Sequence, residues 1–271
     1  MTGTGSTATM GRRDFLKAGG TAAGVALAGA ALLADGKKAA AQEGTKKESK
    51  YTFLIDLRRC SGCEACVVAC KTENGIPVGK WRTGVKFLES GTYPNTRKTI
   101  VPWLCNHCEK PRCIKRCPAD PVKKPWGAEV AATYKRPDGV VVIDQDRCMG
   151  CGMCVMDCPY GVRFMDPFVE AGGSPGEHAA NKCDLCLARI RNGVVPSCVN
   201  TCPAGARRII DLNNPEDPGN KILEENAGRL KKLMESHGTE PSVMYIDPSG
   251  MLDETFTKSD DVKNTMNKEI G

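Results

Sequence analysis

The apolar positions of this chain fall into short blocks. Tyr51-Thr52-Phe53-Leu54-Ile55-Asp56 predicts a strand, and Val140-Val141-Val142-Ile143-Asp144 predicts a second. Alternation around Val85-Lys86-Phe87-Leu88 and Thr99-Ile100-Val101 predicts a hairpin inside an insertion at 71–104. A second insertion, 119–139, contains Pro125-Trp126-Gly127 and reads as a surface loop region leading to the next strand. Arg207-Arg208-Ile209-Ile210-Asp211 predicts a closing strand. Beyond it, Ile222, Leu223, Leu230 and Leu233 predict an amphipathic helix that packs on the domain, and from Met251 the chain is polar and expected to be loosely ordered. Residues 42–50 read as a polar linker. The pattern defines an α+β domain over 51–211 and a C-terminal helix and polar tail over 212–271. The Ala/Gly-rich stretch Ala18–Ala34 is short for a membrane span of about 20 residues, and nothing after it approaches that length.

The first two of these predicted strands each run into a cysteine group. Cys60, Cys63, Cys66 and Cys70 follow the first; Cys148, Cys151, Cys154 and Cys158-Pro159 follow the second, as C-x2-C-x2-C-x3-C in both cases. Ile55-Asp56-Leu57-Arg58-Arg59-Cys60-Ser61-Gly62-Cys63 aligns with Ile143-Asp144-Gln145-Asp146-Arg147-Cys148-Met149-Gly150-Cys151, an internal repeat. Gly62 and Gly150 are expected to bring side-chain-free backbone close to whatever the cysteines hold. Two further groups resemble each other: Cys105, Cys108, Cys113, Cys117-Pro118, and Cys183, Cys186, Cys198, Cys202-Pro203. Each has a proline two residues before its third cysteine, Pro111 and Pro196.

Composition sharpens this picture. The 271 residues include 16 cysteines, with only 5% aromatics, so the core is expected to be built partly around something inorganic. Disulfide scaffolds spread cysteines along loops, whereas these sit in four dense groups. Zinc needs two C-x2-C pairs, which the groups at 105–117 and 183–202 offer when seen alone. Three cysteines at successive x2 spacing suit three corners of an iron-sulfur cube instead, with the fourth directed to a neighbouring cube. The net charge is +6, of which 1–41 contribute +3, from five Lys/Arg against two Asp/Glu. No basic block interleaved with aromatics points to nucleic acid. Four oxidised clusters at roughly −2 each would make the loaded protein acidic, and a protein partner is expected. No Ser/His/Asp array, nucleotide-binding glycine loop or pair of catalytic carboxylates stands out, so no substrate chemistry is assigned to the chain alone.

The four-group pattern over Tyr51–Asp211 resembles the electron-transfer subunits of the complex iron-sulfur molybdoenzymes: tetrathionate, polysulfide and dimethyl sulfoxide reductases and formate dehydrogenase. Ile55–Cys60, Leu104-Cys105-Asn106-His107-Cys108 and Ala206–Ile210 look most like the tetrathionate reductase type. The resemblance implies two interleaved ferredoxin-like halves and four 4Fe-4S clusters. Carried over, cluster one takes Cys60, Cys63, Cys66 and Cys202; cluster two Cys70, Cys183, Cys186 and Cys198. Cluster three takes Cys105, Cys108, Cys113 and Cys158; cluster four Cys117, Cys148, Cys151 and Cys154. It also implies a relay of single electrons between a membrane quinol-interacting subunit and a catalytic molybdopterin subunit. A membrane redox complex without molybdenum is the alternative. At the N-terminus, Gly11-Arg12-Arg13-Asp14-Phe15-Leu16-Lys17 with Ala39-Ala40-Ala41 resembles a twin-arginine signal and its cleavage site, which implies removal of 1–41 and export of the folded, loaded protein to the periplasm.

Other residues invite chemistry and have plainer readings. His107 is expected to pack or hydrogen-bond rather than ligate. Met149, Met153 and Met156 read as soft apolar fill around a cluster. Trp81, Trp103 and Trp126 are not needed as electron carriers. Arg58, Arg59 and Arg147 either raise cluster potentials or pair with Asp56 and Asp144; the sequence leaves both open.

Overall fold

A computed structural model describes residues 48–172, 177–248, 250 and 252. The signal-like segment 1–41 and the residues beyond Leu252 lie outside the described residues; Leu252 itself is buried in the core, its N–H donating to Asp247, so the chain is held there where loose order was expected. The central strand is β1, Tyr51–Asp56, where five successive positions from Thr52 are buried. It does not alternate, because strands flank it on both edges and both its faces are covered. β10, Arg207–Asp211, pairs antiparallel to it with Ile55 opposite Arg207, so the closing strand lies against the first.

Between these two strands the chain makes hairpins that deliver the cysteine groups. Helix α1 (Ala65–Asn74) carries Cys66 and Cys70. β2 (Thr83–Ser90) and β3 (Arg97–Leu104) form the expected hairpin, which ends one residue before Cys105. The short helix α2, Arg112–Lys115, holds Cys113. The second insertion is more regular than a loop: β4 (Val122–Lys123) pairs with β5 (Glu129–Val130), and β6 (Thr133–Lys135) with β7 (Val141–Ile143). β7 leads through a 3-10 turn to Cys148 and to α3, Met153–Met156. β8 (Phe164–Glu170) and β9 (His178–Asn181) then lead to Cys183, α4 (Leu187–Ile190) and α5 (Ser197–Asn200). α1 packs against α5, and α2 against α3. The first cysteine group therefore meets the fourth, and the second meets the third.

The C-terminal segment differs from expectation. Its helix, α6, spans only Pro218–Glu225 and is capped by Asp217, whose carboxylate accepts from the Gly219 N–H at 2.8 Å. Leu230 lies instead in β11, Leu230–Lys231, and Leu233 is buried in the core. The chain then returns as β12, Val243–Ile246, parallel to β1 with Phe53 opposite Val243. The four-stranded order is β10-β1-β12-β11. Helical spacing at 222–233 arose from two separate elements. β12 is only four residues long, too short to stand out by pattern, and its parallel partner lies near the other end of the described chain.

The main core gathers Phe53, Ile55, Val101, Trp103, Val140, Tyr160, Val162 and Tyr245 around Cys66, Cys105, Cys108 and Cys198. Trp103 is fully buried and its Nε1–H donates to the Tyr160 carbonyl at 2.7 Å. This bond ties the hairpin before the second group to the turn after the third.

Candidate metal centres

Three cavities of similar size take the same form. In one, Cys60, Cys63 and Cys66 stand around about 350 Å³ of space free of protein atoms, and Cys202 comes in from the end of the fourth group. In the next, Cys105, Cys108 and Cys113 meet Cys158 around about 340 Å³. In the third, Cys148, Cys151 and Cys154 meet Cys117 around about 320 Å³. The remaining thiols, Cys70, Cys183, Cys186 and Cys198, come together where α1 packs on α5, close enough that Cys70 feels the charge of Cys198 and Cys186, and Cys183 that of Cys70 and Cys198. Each quartet contains three thiols from one group and one from its neighbour.

The loops achieve this by winding through left-handed backbone. Gly62 and Gly150 have φ of +74° and +66°. At Gly62 a Cβ would also stand 2.8 Å from the Phe87 ring, so a neighbouring side chain, as well as the turn, requires glycine there. The other two groups use non-glycine residues at one shared offset, between their first two cysteines: His107 at +43° and Leu185 at +57°. His107 is thus a turn residue. Its Nδ1 accepts from the Val141 N–H at 3.0 Å, and burial, with Lys182, Arg163 and Lys135 nearby, pushes its pKa well below the ordinary histidine value. It is a neutral, structural imidazole.

The electrostatics are those of thiols kept from water. Burial, reinforced by neighbouring thiols, pushes Cys70 and Cys108 up to about 12. Burial likewise raises Cys113 and Cys198 to about 11, Arg163 and Arg207 respectively pulling the other way. Such groups become thiolates when a cationic centre takes the proton's place. Backbone N–H groups are already aimed at sulfur: Ala206 to Cys202 at 3.3 Å, Ala180 to Cys148 and Leu185 to Cys183 at 3.4 Å. All sixteen thiols are free. Among the described residues no three His, Cys, Asp or Glu side chains converge on a single ion; the thiols surround spaces rather than points. Soft donors, sulfur-directed N–H groups and mostly apolar walls fit an iron-sulfur cube.

The other candidates separate. Arg58 pairs with Asp56 at 2.7 Å, whose carboxyl burial alone would raise but which Arg58 holds below its ordinary value. Arg147 donates to the carbonyls of Ala131, Val130 and Asp120 and lies 3.9 Å from Asp144. Arg59 lies against Gly205. Met149 lines the third cavity, but Met153 and Met156 are exposed, Met156 by 74%, so they do not fill a core.

Sequence reasoning missed three buried cations: Arg163, Arg207 and Lys182. Two of them carry a signal. Cys158-Pro159-Tyr160-Gly161-Val162-Arg163 and Cys202-Pro203-Ala204-Gly205-Ala206-Arg207 share the pattern Cys-Pro-x-Gly-x-Arg. Lys182 has no such repeat.

Fold and cavities together define a ferredoxin-type iron-sulfur protein. Residues 96–212 match the family model for a 4Fe-4S dicluster domain, and 58–73 match that for a 4Fe-4S binding domain. The chain is 36% identical over 252 residues to a subunit of the tetrathionate reductase of Salmonella typhimurium, covering 90% of each chain. It is 36% identical over 225 residues to a subunit of the selenate reductase of Mesobacillus selenatarsenatis, covering 73% of this chain and 72% of that one. It is 30% identical over 280 residues to Hdr-like menaquinol oxidoreductase iron-sulfur subunit 1 of Archaeoglobus fulgidus, covering 89% and 99%. The chain belongs to the family of iron-sulfur electron-transfer subunits of molybdoenzyme-type reductase complexes. Its role is electron transfer, and catalysis belongs to another subunit of such a complex. No helix among the described residues is long and apolar enough to cross a membrane.

Proposed function

We propose that the chain holds four 4Fe-4S clusters in two nested ferredoxin-like units and conducts electrons between a membrane quinone-interacting subunit and a catalytic molybdopterin subunit. The observation that carries this reading is the threefold recurrence of one cavity: three thiols from a loop and a fourth from the partner group, around nearly equal spaces. The fourth quartet has the same composition. Ligands would be Cys60, Cys63, Cys66 and Cys202; Cys70, Cys183, Cys186 and Cys198; Cys105, Cys108, Cys113 and Cys158; and Cys117, Cys148, Cys151 and Cys154. When bound, the clusters supply one-electron carriers. The protein holds them at fixed separation, excludes water, and directs N–H groups at sulfur, all of which set potential.

Cys63 and Cys151 are the exposed thiols and belong to the first and last quartets, which suits electron entry and exit at the two ends. The twin-arginine-like segment Gly11–Lys17 supports export of the loaded protein and periplasmic work at the membrane. A second reading, a quinol-oxidising complex without molybdenum, is favoured by the nearly end-to-end match to a protein named as a menaquinol oxidoreductase subunit.

Anaerobic isolation of the tagged complex from its host, with metals counted per chain, separates these. About sixteen irons, four per cube, with molybdenum or tungsten at one per complex and recovery from the periplasmic side support the first reading. The same iron without either metal supports the second. Zinc in place of iron refutes both.

A further inference from the structure

Arg163 and Arg207 are 1% and 2% exposed, and Lys182 is 3% exposed. No carboxylate among the described residues forms an ion pair with any of them, whereas Arg58, Arg82, Arg112, Arg136 and Arg189 each have one. A buried guanidinium or ammonium without a counter-charge is too costly to leave uncompensated. What faces the two guanidinium groups instead is sulfur, and the Lys182 ammonium meets backbone carbonyls beside Cys183.

Arg207 lines the cavity of Cys60, Cys63, Cys66 and Cys202, and its charge also reaches Cys198 of the neighbouring quartet. Its Nη1 donates to Thr83 Oγ1 at 3.0 Å, while its Nη2 is buried with no partner. Arg163 repeats this arrangement. It lines the cavity of Cys105, Cys108, Cys113 and Cys158, donates from Nη2 to Cys113 Sγ at 3.0 Å, and its charge reaches Cys154 of the adjacent quartet. Its Nη1 reaches Thr133 Oγ1 at 3.4 Å, the counterpart of Thr83. Lys182 lies between the two pairs. Its Nζ donates to the Cys183 carbonyl at 2.7 Å and to the Val141 carbonyl, and its charge reaches Cys113. Cys183 and Cys105, on opposite sides of this junction, are themselves within electrostatic reach of each other.

We propose that Arg207, Lys182 and Arg163 are fixed counter-charges at the three successive junctions of the cluster chain, each tying two neighbouring clusters into one electrostatic unit and raising both potentials. The proposal rests on the four-cluster reading above. A cube with four thiolates carries about −2 oxidised and one charge more when reduced, so a nearby fixed cation favours the reduced form. Because the charge of each cation reaches two quartets, it acts on a pair. The unpartnered Nη2 of Arg207 is a donor reserved for a cluster or its thiolate.

The test is a redox titration of the iron-loaded full chain followed by electron paramagnetic resonance. Arg207→Gln is expected to move two of the four reduction steps to lower potential and leave two in place; Arg163→Gln should move the complementary two. Lys182→Met should move one step from each of those pairs. Arg207→Lys and Arg163→Lys, which keep the charge, should stay near wild-type potentials. If a Gln variant loses iron, the Lys variant at that site is expected to retain it. Unchanged potentials in fully loaded Gln variants, equal shifts of all four steps, or iron loss in Gln and Lys variants alike would overturn the proposal. Wild-type protein without four reducing steps would refute the cluster reading itself, a result distinguishable from failure of the variants alone.

Discussion

Single residues here divide into those that would bind a cluster and those that support the binding loops. Cys148 is buried, receives the Ala180 N–H, and lies in the quartet with Cys117, Cys151 and Cys154. Cys148→Ser is expected to lower iron by up to about four atoms, one cube, and to cut quinol-linked electron flow. Activity with dyes that feed the catalytic subunit directly should survive. Iron analysis and paired assays check this, and unchanged quinol-linked activity would refute a continuous relay. Trp103 is the supporting kind. Trp103→Phe keeps most of the ring volume but removes the donor to the Tyr160 carbonyl, a loss of about 1–3 kcal/mol. Thermal melting of the loaded protein should show the destabilisation, with the rate of electron transfer unchanged once assembled. A slowed rate at full iron content would instead make the indole a carrier.

At the scale of elements, short helices and hairpins are held by contacts to the sheet rather than by their own propensity. α6 shows this at its first turn, where Gly219 packs on β10 so closely that a Cβ would stand 2.3 Å from Ile210 Cγ1. Gly219→Ala is therefore expected to cost about 1–3 kcal/mol through overpacking, although alanine favours helix more than glycine does. The melting temperature should fall while the cluster spectra stay the same. A rise would mean that α6 is free to shift away from β10. The hairpin β2-β3 was legible because alternation is local, whereas β4, β5 and β11 are two residues each, below what any pattern can register.

For the whole molecule, the first and last described strands are neighbours. Val243, Tyr245 and Ile246 of β12 are 1%, 0% and 0% exposed, and they cover one edge of β1. Burying such side chains contributes about 1.5–3 kcal/mol each, together a large fraction of the roughly 5–15 kcal/mol by which a domain is stable. A chain ending at Pro241, two residues before β12, is expected to aggregate through the exposed edge of β1 and to retain little iron. Size-exclusion chromatography and iron analysis test this. A monomeric, fully loaded truncation would show that β12 is dispensable to the fold.

Cysteine spacing, read alone, determined that this is an iron-sulfur protein, because three thiols at x2 spacing and a fourth four residues on is a local geometric requirement. The hydrophobic pattern located β1, β10 and the hairpin before Cys105, because each of these signals lies within a single segment. Tertiary structure decided the rest, because those features depend on residues far apart in sequence. It brought Cys60 to Cys202 and Cys117 to Cys148, returned β12 to the edge of β1, and buried Arg163 and Arg207 beside sulfur and Lys182 against backbone carbonyls. A charged residue reads as surface in a sequence. Only the folded chain reveals that these three have been taken out of water, and beside which groups.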